Sequence, residues 1–245
     1  MVFDALEFNN EQVKLGQNYL LIGSDAYLAD RVITAVKTQL QNSDNYDLSV
    51  VYGDEVKSGD LGEYLDTYTI FSPKKLVLVK NAESMGKKEL EILGSYYDSP
   101  SDIQSLVIVT DKVDLRVSAW KKIHGSSIIV TCDPPKYGGA IRAWLVKELS
   151  RMGKTMSPKA IEEFTTRIEL DFATANNELS KINLFIGDKR TISEDDVLYS
   201  LGTTRVGTLI DFYRALGKRN VKSCIDAVEK MLDRKSTRLN SSHRI

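Results

Sequence analysis

Apolar residues along the first 135 positions alternate between two spacings. Short apolar runs recur at Tyr19-Leu20-Leu21-Ile22, Leu48-Ser49-Val50-Val51-Tyr52, Leu76-Val77-Leu78-Val79, Leu106-Val107-Ile108-Val109 and Ile128-Ile129-Val130-Thr131. Four of them are unbroken or nearly so, which is the pattern of strands covered on both faces. Between the runs the period lengthens. Leu28, Val32, Val36 and Leu40 step by four along one helical face, and Ser24 or Asp25 can cap that helix. Weaker helical patterns fill 61–68, 87–97 and 117–123. Five strands alternating with helices predict a parallel sheet between helical layers.

Cys132-Asp133-Pro134-Pro135 ends that alternation, and Lys136-Tyr137-Gly138-Gly139 reads as a linker. Everything beyond is patterned as helix. Trp144, Leu145, Leu149 and Met152 form one stripe, and Leu179, Ile182 and Phe185 another that stops at Gly187. Ser157-Pro158 is a cap followed by proline at the first helical position. Ser193-Glu194-Asp195-Asp196 starts a helix with a capping box and acids in its first turn. Val221, Cys224, Ile225, Val228 and Leu232 give an amphipathic helix capped by Asn220. The last stretch, 234–245, departs from this pattern. It is basic, serine-rich and without periodicity, and is expected to be foreign to the native chain.

Composition adds exclusions. An ordinary globular balance of 42% hydrophobic and 27% charged residues excludes collagenous and wholly disordered chains. Net charge is −1, but residues 1–140 hold 14 Lys+Arg against 20 Asp+Glu, and the remainder 19 against 14. The second half is thus only weakly suited to polyanions. Cys132 and Cys224 make neither a disulfide framework nor a zinc site. With no apolar N-terminal leader and no run near the ~18 residues of a membrane span, a cytoplasmic location is expected, with no membrane contact.

Candidate chemistry concentrates in the first strand–helix turn. A phosphate loop needs Gly-x-x-x-x-Gly-Lys-Ser/Thr, because glycines let backbone amides cradle phosphates and lysine neutralises them. Here Gly23-Ser24-Asp25-Ala26-Tyr27-Leu28-Ala29-Asp30 keeps the first glycine alone. Leu28, Ala29 and Asp30 stand where glycine, lysine and the magnesium-holding hydroxyl belong, so no nucleotide cofactor is expected. Asp111 and Asp114 follow a strand but read as loop and turn residues rather than metal ligands. Of the two histidines, His124 reads as part of a polar loop and His243 lies in the odd tail. Cys132 reads as an inert thiol at a strand end. No catalytic residue is assigned.

Two features admit more than one reading. In Tyr68-Thr69-Ile70-Phe71-Ser72-Pro73-Lys74-Lys75, Ile70 and Phe71 either pack under a helix end or protrude as anchors for a pocket on a partner. The basic pairs Lys74/Lys75, Lys87/Lys88, Lys121/Lys122 and Lys218/Arg219 read as solvated faces. Lys218, Arg219 and Lys222, near a helix start, alternatively touch phosphate.

Taken in order, several stretches resemble the delta subunit family of bacterial DNA polymerase III, the clamp-opening part of the clamp loader. They are Tyr19 to Leu28 of the first turn, Thr69-Ile70-Phe71-Ser72-Pro73-Lys74-Lys75-Leu76-Val77-Leu78-Val79, and Leu106-Val107-Ile108-Val109-Thr110-Asp111-Lys112-Val113-Asp114. Asn176-Asn177-Glu178-Leu179-Ser180-Lys181-Ile182 and Ala215-Leu216-Gly217-Lys218-Arg219-Asn220 complete the series. The resemblance spans roughly 17–234. It implies an AAA+-like (P-loop NTPase-type) α/β domain over 1–138 with a degenerate phosphate loop. A small helical lid domain over 139–205, the start of a truncated helical collar over 206–234 and a non-native tail over 235–245 would follow. It also implies a subunit that hydrolyses no ATP itself, while acting within a DNA-directed DNA polymerase holoenzyme. Its implied partners are the sliding clamp (beta subunit), the tau/gamma and delta prime subunits, and primed DNA. By position Ile70 and Phe71 match the family's clamp-binding pair, and ATP would act through other subunits. The competing classes are a degenerate AAA+-like nucleotide-binding module and a DNA-binding module with another partner.

Overall fold

In the computed structural model, residues 1–14, 16–41, 45–66, 74–201 and 205–229 are described. They fall in two compact units, Met1–Pro134 and Pro135–Ile245.

In the first unit the five apolar runs are strands: β2 (Tyr19–Ile22), β3 (Tyr46–Tyr52), β4 (Lys74–Lys80), β5 (Gln104–Thr110) and β6 (Ile128–Thr131). A further short strand, β1 (Val2–Asp4), pairs Phe3 with Val130 at the β6 edge. Three residues are too few to display a period, so the pattern of the chain did not predict it. The order is β1-β6-β2-β5-β4-β3, and every pair is parallel. Parallel neighbours require crossovers, supplied by α1 (Ala26–Gln41), α2 (Ser58–Asp66), α3 (Lys87–Tyr96) and α4 (Ser118–Ser126). His124 therefore lies in the last turn of α4, not in a loop. Its neighbours Ala119, Trp120 and Ile123 bury one face of that helix, and this outweighs the turn-like glycine and serines that follow.

Alternation along each strand divides the core in two. Leu20, Val51, Val77, Val79, Leu106 and Ile108 pack on one face beneath Leu61 and Leu65 of α2, Leu93 of α3, and Trp120 and Ile123 of α4. Leu21, Leu76, Leu78 and Val107 point the other way and are equally buried. On that second face Asp30 of α1 pairs with Lys80 of β4 at 3.2 Å. The four-step stripe Leu28, Val32, Val36 and Leu40 is the buried side of α1.

The second unit holds α5 (Gly138–Arg151), α6 (Pro158–Arg167), α7 (Phe172–Ile186), α8 (Glu194–Leu201) and α9 (Arg205–Gly217), and residues 221–229 are helical. A two-residue parallel pair joins β7 (Thr155–Met156) to β8 (Thr191–Ile192). Gly138 and Gly139, read above as linker, instead form the first turn of α5. Glycine weakens a helix interior, but the helix here draws its propensity from the residues that follow. The expected caps are in place. Ser157 Oγ accepts from Ala160 N at 3.2 Å, and Ser193 and Asp196 cap each other reciprocally. Asn220 Oδ1 accepts from Ser223 N at 3.2 Å. Trp144, Leu145, Leu149, Leu179 and Ile182 are buried, with the Trp144 and Phe172 rings 6.2 Å apart. Met152 and Phe185 leave their predicted stripes and are exposed, because each stands at or just past the last turn of its helix.

A charged cluster ties α6 to α9. Glu163 and Arg167, one turn apart, are both buried and hydrogen-bond to each other. Arg167 also grips Asp211 of α9 through both terminal nitrogens, at 2.5 and 3.2 Å. Arg214 donates to both oxygens of Glu163, at 3.0 and 2.9 Å. Removing one member of such a cluster strands a buried charge, which costs far more than the pair contributes. Glu163→Ala is expected to lower the unfolding free energy of this unit by about 3 kcal/mol. Urea titration followed by circular dichroism measures it; an unchanged midpoint would contradict the cluster.

Candidate functional site

The first strand–helix turn lies where the strand order reverses: β2 sits between β5 and β6, while the chain leaves it for β3 at the far edge. In open parallel sheets ligands bind at such a switch point, outside the strand C-termini. Gly23 has φ +140, and a Cβ there would stand 2.2 Å from the Cys132 carbonyl oxygen. Gly23 N donates to Thr110 O at 3.0 Å and Asp25 N to Cys132 O at 3.0 Å, so the turn is stitched to the ends of both neighbouring strands. Of the two residues that could cap α1, it is Asp25 that does so: its Oδ1 accepts from Leu28 N at 3.0 Å, and the residue is buried.

This arrangement runs opposite to what a phosphate needs. A phosphate loop leaves the first amides of its helix open to an anion. Here a protein carboxylate already occupies that pole, and a phosphate beside it would meet a like charge. Asp30, where the magnesium-holding hydroxyl would stand, is engaged with Lys80. Past β5, Asp111 N donates to Glu83 Oε2 at 3.2 Å, and Asp114 is held by Arg116, which keeps its carboxyl low, at about 2. Among the described residues, no group of three His, Cys, Asp or Glu is placed to hold a metal. Burial pushes the Cys132 thiol up to about 12, and Asp25, Asp4 and Asp133 add to the shift. A thiol so reluctant to ionise is a packing group rather than a nucleophile.

The other candidates are distributed unevenly. Ile70 and Phe71 lie outside the described residues. Lys218 and Arg219 are exposed in the connection from α9 to 221–229, where Arg219 takes the left-handed conformation (φ 53), and Lys222 is exposed in the first turn of the helix that follows. The helix 221–229 keeps its amphipathic pattern, yet its apolar side is open. Phe212 and Leu216 of α9 face Val221, Ile225 and Val228 across an apolar groove of about 460 Å³. One reading needs correction: Lys75 is no part of a solvated face but is 4% exposed. The signal was available in the parity of β4, since Lys75 falls on the same side as Val77 and Val79, the side covered by α2 and α3.

No helix among the described residues is long and apolar enough to cross a membrane. The family model described as "DNA polymerase III, delta subunit" matches residues 19–133. DNA polymerase III subunit delta of Bacillus subtilis (strain 168) is 23% identical over 209 residues, which are 80% of this chain and 60% of the relative. The chain thus spans about three-fifths of that relative's length. Among solved structures, the Bacillus subtilis DNA clamp loader delta protein superposes with a TM-score of 0.71 at 19% identity, over 92% of this chain and 70% of the other. The Thermotoga maritima RuvB Holliday junction branch migration motor shares the fold more distantly, with a TM-score of 0.50 at 19% identity, over 86% of this chain and 74% of the other. The parallel-sheet core followed by helices is an AAA+-like fold, the turn that stands in place of its phosphate loop is closed by a protein carboxylate, and the chain is similar in sequence and fold to the DNA polymerase III delta subunit.

Proposed function

We propose that this chain works as a clamp-loader delta subunit: it binds the sliding clamp through Ile70 and Phe71 and favours its open form without hydrolysing ATP. The observation that carries the reading is the delta-family match over 19–133, a stretch that contains both the closed phosphate turn and the Ile70-Phe71 pair. A subunit of this kind needs a surface, not a reaction. It shifts the clamp's closed–open equilibrium by binding the open or strained form better. Burying the two side chains supplies roughly 1.5–3 kcal/mol each. That helps a strained interface to part and need not break a relaxed one.

The remaining assignments follow from the same reading. The first unit would carry the clamp contact. Residues 139–205 would act as the lid and 206–234 as the beginning of the collar, through which the tau/gamma and delta prime subunits are met. Lys218, Arg219 and Lys222 would contact backbone phosphates of primed DNA within the assembled loader, in the cytoplasm. ATP would act on the other subunits and govern when the clamp-binding surface is exposed.

Two measurements test this function. Ile70→Ala with Phe71→Ala should raise the Kd for a cognate sliding clamp by about two orders of magnitude or more, with an unchanged circular dichroism spectrum. Equal affinity of the double variant and the wild type would remove these residues from the interface. In isothermal titration the chain should bind neither ATP nor ADP at millimolar concentration with magnesium present. Saturable binding would instead favour a nucleotide-dependent switch.

A further inference from the structure

The apolar groove between α9 and residues 221–229 belongs to a helical hairpin. α9 closes at Gly217, where Lys218 N donates to Arg214 O at 3.1 Å, Arg219 N to Leu216 O at 3.0 Å and Asn220 N to Ala215 O at 2.9 Å. Arg219 turns the chain in the left-handed conformation, and Asn220 caps the helix that follows. A connection this short lays the two helices antiparallel. Their seam leaves one side uncovered. Phe212, Leu216, Val221, Cys224, Ile225 and Val228 line it, and Val221 is 70% and Ile225 53% exposed. A continuous row of exposed apolar side chains marks a surface that another surface covers.

The charges at the two ends of the groove select what fits it. Arg219 lines the end at the hairpin turn, and Glu229 lines the other, one helix length away. Neither pairs with a charged side chain among the described residues. A positive end, an apolar middle and a negative end make a surface that complements itself when turned through 180°. Turned so, Arg219 of each copy meets Glu229 of the other, and the pair forms twice. The same register sets Val221 against Val228 of the second copy, ridge into groove. Cys224 lies midway in sequence between Arg219 and Glu229, so it falls on the two-fold axis opposite its own counterpart.

We propose that the hairpin of α9 and residues 221–229 is a self-association surface: two copies of this chain pack antiparallel through the groove as a four-helix bundle, with Arg219 and Glu229 fixing the register. Burial of the apolar rows supplies the affinity, and the charges select the orientation. The inference is independent of the clamp reading, whose anchor pair belongs to the first unit.

Sedimentation velocity of the whole chain tests it. The mean mass should pass from monomer to dimer between about 1 and 100 µM, the strength of a small interface. Ile225→Asp changes an exposed position, so the circular dichroism spectrum should hold while the dimer Kd rises about a hundredfold or more. Arg219→Glu and Glu229→Arg should each raise the Kd about tenfold, because each sets like charges together at both ends. The two reversals combined should return it to the wild-type value. A short bismaleimide, which alkylates two neighbouring thiols, should join two chains, and Cys224→Ser should abolish the product. Cys132 is buried and should add nothing. A chain that stays monomeric across this range overturns the proposal, and resistance of Cys224 to maleimide in that monomer would mean that the chain fills its own groove. A dimer indifferent to Ile225→Asp is built on another surface and overturns the proposal equally. A dimer lost in Ile225→Asp but not restored by the double charge reversal overturns the antiparallel register, and the proposal with it.

Discussion

A sheet whose strands all run one way cannot turn back on itself, and most of the first unit follows from that constraint. Each strand is entered by a crossover over a face, so both faces are covered and the strand C-termini share one edge. At that edge the turn after β2 meets the ends of β5 and β6, and Thr110 O at the end of β5 and Cys132 O just past β6 accept from Gly23 N and Asp25 N. The approach is so close that a Cβ at position 23 would collide with the Cys132 carbonyl. This explains why the first glycine of the phosphate-loop pattern is the single survivor. It is kept by the packing of the turn, whereas the later glycine and the lysine serve a phosphate, and nothing in the packing calls for them here.

Charges taken inside the molecule fall into two kinds. Glu163 and Arg167 are buried, but each has a second partner across the α6–α9 contact, in Arg214 and Asp211. Their desolvation is offset by directed, bidentate contacts that fix how the two helices meet. Lys75 is held at a helix terminus by a neutral carbonyl, beside an amide that finds no partner among the described residues. The first arrangement holds the second unit together. The second brings a charge into an apolar layer, where the ammonium meets a carbonyl in the last turn of α2. The open apolar side of 221–229 is unfavourable in a third way, with hydrophobic side chains left unburied among the described residues.

Much of this was legible in the order of residues. Short apolar runs against steps of four found β2 to β6 and α1, because a strand covered on both faces and the pitch of a helix each leave their mark on consecutive residues. Ser157, Ser193 and Asn220 announced helix starts because a cap bonds within three residues of itself. The degenerate phosphate turn was legible for the same reason: its chemistry lies in eight consecutive positions. What escaped depended on distance in sequence. β1 exists because β6 offers an edge more than a hundred residues away. His124 is helical because Trp120 and Ile123 are covered by other elements. Met152 and Phe185 are exposed because their helices end where no neighbour among the described residues covers them.

By itself the sequence determined where the five longer strands and most of the helices lie, that the sheet is parallel, that the first turn lacks the residues to cradle a phosphate, and which family the chain resembles. Only the tertiary structure decided that Asp25 rather than Ser24 closes that turn. It alone brought Glu163 and Arg167 to Asp211 and Arg214, and turned Lys75 inward onto Tyr64. The physical reason is one of range. Propensity, periodicity and capping act over a few residues and are written in neighbours. Burial and charge pairing depend on which distant segments the crossovers bring together, and that is fixed when the chain closes on itself.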